Sequence, residues 1–90
     1  MIEMKITGVF PIAARGHVLM TDKEFSSEAW QFARTRKNIR VAGESREVLL
    51  AIRSAEVIVR GNAEFISFLV PAIADIEIQD FILGNAIEFS

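Results

Sequence analysis

The chain has 90 residues, 51% of them hydrophobic and 24% charged, with a formal net charge of −2 and no cysteine. That is one domain, too rich in aliphatic side chains for disorder and too weakly charged for generic nucleic-acid binding. Disulfides, thiolate metal sites and a cysteine nucleophile are excluded outright.

Ile, Val and Phe dominate over Leu, which favours strands, because branched and aromatic side chains fit a pleated, half-buried surface. Residues 2–12 alternate. Ile2, Met4, Ile6, Gly8, Phe10 and Ile12 share one phase and predict a strand with a single buried face. Gly8 marks a bulge, and Pro11 an edge or bend. Ala13 to Gly16 reads as a turn, after which 17–21 resumes as strand with Val18 and Met20 inward. His17, the only histidine, falls on the outward phase and reads as surface filler.

Thr21-Asp22-Lys23-Glu24 fits a capping box. Phe25, Ala29, Phe32 and Ala33 then recur at helical spacing and predict one short helix near 22–35. Ile39 and Val41 flank Arg40 as a strand. Residues 47–59 fit both a helical stripe and two strand faces with a phase slip between them. The glycines at 43 and 61 and the density of Val and Ile favour strand. Phe65 to Val70 is a strand apolar on both phases. Ile76 and Ile78 alternate with Glu77 and Gln79, and 86–89 closes the chain as strand. The expected fold is all-β: a small six- to seven-stranded antiparallel barrel spanning 1–90 as a single domain. Its expected core is Met4, Ile6, Phe10, Ile12, Val18, Ile66, Phe68 and Ile87.

Charge is unevenly spread. Residues 61–90 hold five acids and no base, whereas 1–60 hold all ten bases and seven acids. Trp30 to Arg40 contains Arg34, Arg36, Lys37 and Arg40 with no acid, just after Trp30 and Phe32. Bases neutralise phosphates and exposed aromatics stack on nucleobases, so this segment is the leading partner-binding candidate. Arg15, at the first turn, is the second. Asp75, Glu77 and Asp80 read as an acidic, solvated rim, with a weak divalent-ion site as the alternative. No phosphate-binding Gly-x-x-x-x-Gly-Lys-Ser/Thr is present, and neither is a dinucleotide fingerprint or a nucleophile elbow. No catalytic residue, cofactor or nucleotide is expected. The N-terminus lacks the pattern of a signal peptide and no run is long enough to span a membrane, so a cytoplasmic protein is expected.

Residues 9–18, Val-Phe-Pro-Ile-Ala-Ala-Arg-Gly-His-Val, resemble the opening of the second domain of the translational GTPases, typified by elongation factor Tu. That strand has the form Val-Phe-x-Ile-x-Gly-Arg-Gly-x-Val, matched here by Val9, Phe10, Ile12, Arg15, Gly16 and Val18. Ala14 stands where the family has Gly. Asp80, Gly84 and Ile87 are similar to the family's closing Asp-Ile-x-x-Gly-x-x-Ile, whereas Leu69-Val70-Pro71-Ala72-Ile73 replaces its Leu-x-Arg-Gly-Ile. The resemblance implies a free-standing β-barrel acting as a docking module without GTPase activity, since the P-loop is missing. In the family, Arg15 beside Gly16 would bridge to backbone or to a carboxylate. The expected function is protein interaction, including a homodimer. The alternative is an RNA- or ribosome-associated module using 30–40, and an enzyme with an unrecognised site ranks third.

Overall fold

A computed structural model describes residues 2–90 and confirms the all-β class. Among the described residues seven antiparallel strands form two separate sheets, so the expected barrel is not one closed sheet. The first has the order β1 (Ile6–Ile12), β2 (Gly16–Glu24), β6 (Ala63–Val70), β5 (Ser54–Arg60). The second has the order β4 (Glu47–Ala51), β3 (Asn38–Ala42), β7 (Glu88–Phe89).

The sheets meet at two seams. Lys5 bridges Ala86, and the N–H groups of Ile87 and Ile6 donate to Met4 O and Asn85 O at 2.9 and 3.0 Å. At the other seam the N–H of Ile52 donates to Lys37 O in the second sheet, and that of Arg53 to Leu69 O in the first. The phase slip in 47–59 is this corner: the segment is strand, and it changes sheet between β4 and β5.

The main core lies between the sheets and holds Met4, Ile6, Leu19, Ile39, Ile66 and Phe68 among others. Five of the eight expected core residues, Met4, Ile6, Ile66, Phe68 and Ile87, are in it. Phe10 and Ile12 are not, being 49% and 36% exposed. The cause is the bulge at Gly8. Ile6 pairs with Thr21 but Gly8 pairs with Met20, so β1 spends one extra residue and its later side chains swap faces. Val9 then packs toward the core while Phe10 points away. Val18 and Met20 also belong to the far face, where they form a second cluster with Leu69 and Ile58.

Two helical readings are corrected. The helix α1 (Ser27–Ala33) starts later than expected, because Thr21 is not its cap. The Thr21 hydroxyl instead donates to Ile66 O at 2.7 Å inside the sheet, and Ser26 Oγ accepts from Ala29 N–H. Ala29 and Ala33 are buried against the main core, so α1 does not cover the far face. Residues 76–79, read as alternating strand, belong to α2 (Ile76–Ile82). Asp75 caps that helix by accepting from Glu77 N–H at 2.8 Å, and Ile78 and Ile82 pack inward one turn apart.

Among the described residues no helix is long and apolar enough to cross a membrane.

Candidate functional site

The basic segment is largely spent on internal contacts. Trp30, on α1, is half-buried, packs against the main core and meets Phe25 with ring centroids 6.2 Å apart. Its face is therefore a poor stacking platform for a base. Arg34 ends α1 and is exposed. Arg36 lies 4.6 Å above the Phe32 ring and donates to Thr35 Oγ1. Lys37 is exposed, its backbone N–H bound to Ser90 O.

Arg40 sits on β3 between Glu47 of β4 and Glu88 of β7. It donates to Glu47 Oε2 at 2.7 Å and also bonds Glu88. The hydrogen bond and charge of Glu47, then those of Glu88, hold the guanidinium above its usual pKa range. Two carboxylates on one guanidinium leave no positive excess for a phosphate.

Arg15 lies elsewhere, at the β1–β2 turn. Its guanidinium is 3.8 Å from Glu56, and its carbonyl accepts from Arg53 at 2.6 Å. The structure thus places Arg15 and Arg36 in separate clefts. The following Gly16 has φ +123°, and a Cβ there would collide with the carbonyl of Val70, so close approach of two backbones fixes this glycine.

His17 corrects the expectation of surface filler. It is buried, and its Nδ1 accepts from Ile73 N–H at 3.0 Å. Asp75, Glu77 and Asp80 are exposed on or beside α2, and among the described residues no group of three or more His, Asp or Glu is placed to hold a metal ion.

Two further features are surfaces. The first is the far face of the four-stranded sheet. Cross-strand partners share a face, so Phe10, Val18, Leu69 and Ser54 form one row, and Gly8, Met20, Ser67 and Glu56 the next. Ile12 and Ile58 extend it. Ser67 Oγ, fully buried in this face, has no hydrogen-bond partner among the described residues. Arg15 stands at one end, 3.8 Å from Glu56 on the β5 side. At the other, Asp22 and Arg60 line a cleft of about 500 Å³ floored by Met20 and Phe65. The signal in the sequence was the double-phase apolarity of 65–70. The second surface is a groove along the edge of β4.

No family model, no curated protein and no solved structure matches the chain.

Proposed function

We propose that this protein is a non-enzymatic docking module whose primary contact is with a second copy of itself, through the far face of the four-stranded sheet. The observation that carries the reading is that face. Val18, Met20, Leu69 and Ile58 pack closely at its middle, β5 adds the polar Ser54 and Glu56 along one side, and Phe10 and Ile12 stand exposed on it while α1 packs on the opposite face. Burying Phe10 and Ile12 supplies the driving force, at about 25 cal/mol per Å² of apolar surface.

The charges suit self-association. A copy turned end for end would bring Arg15 toward Asp22 of its mate, opposite signs meeting at both ends. That is the self-complementary pattern a two-fold interface requires. The face is about 19 Å wide at ~4.8 Å per strand. Of its apolar side chains Phe10 and Ile12 are the exposed ones, Val18, Met20 and Leu69 being already buried, so association in the micromolar range is expected. The docking role is also what the resemblance of the β1–β2 hairpin to the barrel of the translational GTPases implies.

Sedimentation velocity at high micromolar concentration tests the proposal. The wild type should sediment as a dimer and Phe10→Glu as a folded monomer with an unchanged circular dichroism spectrum. A strictly monomeric wild type, or a dimer indifferent to Phe10→Glu, overturns it.

A further inference from the structure

We infer that the free edge of β4 is a binding site for an extended peptide with a C-terminal carboxylate, a contact separate from the sheet face.

β4 is the outer strand of its sheet. The direction of its backbone groups follows from its neighbours. Asn38 exchanges hydrogen bonds with Ser90 on the β7 side, so the even positions of β3 face β7 and the odd ones face β4. The bonds from Ile52 N to Lys37 O and from Gly43 N to Arg46 O fit the same phase. In the register Ile39–Leu50 and Val41–Val48, the residues Val48 and Leu50 are therefore bound to β3. Glu47, Leu49 and Ala51 aim their N–H and C=O groups outward, and among the described residues these three N–H groups have no side-chain or loop partner. An unpaired edge of this kind is a template for one more strand.

This edge differs from an ordinary solvated one because a wall faces it. A groove of about 480 Å³ is lined by five successive residues, Arg46 to Leu50, on one side and by 72–75 with Ile78 on the other. Consecutive residues of both phases line a groove only when the strand presents its backbone edge to it. The opposite wall is apolar at Ala72, Ile73, Ala74 and Ile78, and its one carboxylate, Asp75, is engaged as the cap of α2, accepting from Glu77 N–H. Leu49, which lines it, is 65% exposed. β4 spans about 17 Å, which seats four or five extended residues.

Arg46 selects the ligand's charge and direction. It lines the groove at the start of β4, and its guanidinium lies 5.2 Å from the centre of the Phe81 ring. No carboxylate ion-pairs with it among the described residues, unlike Arg40 and Arg15. A peptide running antiparallel to β4 ends beside Arg46. Its terminal carboxylate then meets an oriented, uncommitted guanidinium. Alternate apolar side chains of that peptide face Ile73 and Ile78.

The probe is a fluorescein-labelled Thr-Val-Thr-Val-Thr-Val peptide with a free C-terminus, titrated against the whole protein by fluorescence anisotropy. Amidating the C-terminus, or Arg46→Gln in the protein, should each weaken binding about tenfold, the loss of one charge-assisted contact. Amide hydrogen exchange, which needs no variant, gives the second readout. Peptide should slow exchange at Glu47, Leu49 and Ala51. Binding that protects those three amides and depends on the carboxylate supports the site. No binding at millimolar peptide, protection elsewhere, or equal affinity for the amidated peptide overturns it. The self-association experiment is untouched by either result, so the two readings fail separately.

Discussion

His17 and Ile73 are joined by one buried hydrogen bond, the N–H of Ile73 donating to Nδ1 of the imidazole over 3.0 Å. It ties the start of β2 to the segment leading into α2, and Gln79 Nε2 secures the same segment by donating to Ile73 O at 2.7 Å. Nδ1 accepts only without a proton, so the ring carries its hydrogen on Nε2.

His17→Leu should therefore cost about 1–3 kcal/mol, since it strands the Ile73 N–H without a partner. In His17→Asn a carbonyl oxygen can stand where Nδ1 stood, so part of the loss should be recovered. Urea denaturation of both variants decides the matter. Equal stability of the two would mean that the imidazole matters only as volume.

The packing of the sheets makes an unequal pair of two phenylalanines. Phe68 is fully buried with its ring 5.4 Å from that of Phe89. Phe68→Ala should cost about 3–5 kcal/mol, through lost transfer energy and the cavity left behind. Phe10→Ala should cost about 1 kcal/mol or less in the monomer, because its ring is half in solvent. Equal costs would place Phe10 in the core and remove the far face as a surface.

Strand content, hairpin and core composition were legible because period-two patterns speak directly about one buried face. What misled was phase. Gly8 announced the bulge, yet a bulge moves every later side chain to the other side, and continuing the alternation through it put Phe10 and Ile12 inside. The Thr21–Glu24 box failed because a strand hydroxyl found a better acceptor in Ile66 O. For α2, seven residues are too few for alternation and helical spacing to separate, and Asp75, which reads as part of an acidic rim, is the N-cap that marks the helix. The basic segment was readable as charge, but whether a charge is free depends on what lies across the sheet. Glu47 and Glu88 are 7 and 48 positions from Arg40. The groove at β4 involves backbone direction and a wall that begins 22 residues beyond Leu50, at Ala72, neither of which has a composition signature.

The β1–β2 turn carries a strained residue. Ala14 has φ +62°, a left-handed conformation, within a turn closed by Arg15 N–H donating to Ile12 O at 3.0 Å. Left-handed backbone costs a residue with a Cβ about 1–2 kcal/mol. Ala14→Gly relieves that strain but frees the unfolded chain, so a net gain of about 0.5–1 kcal/mol is expected. Two positions on, Gly16→Ala should destabilise by about 2 kcal/mol or more, as its Cβ meets the Val70 carbonyl. Thermal melts of the two variants should move in opposite directions. A lower melting temperature for Ala14→Gly would mean that the turn is unstrained.

RNA binding by the 30–40 segment should be absent at ordinary salt. Arg40 is neutralised by two carboxylates, Arg36 is held over Phe32, and Trp30 is packed against the core. That leaves Arg34, Lys37 and Arg36, whose ring contact and bond to Thr35 do not cancel its charge. Three phosphate contacts on a single strand give a log–log salt slope of about −2, too small for more than weak association. The acids of 61–90 add repulsion for the same ligand. A filter-binding titration with single-stranded RNA at ~50 mM salt should retain nothing, salt being the variable that governs such contacts. Retention with a slope of about −3 would require Arg40 to leave its two carboxylates and bind phosphate as well. It would then make RNA, rather than a second copy of the chain, the ligand of this protein.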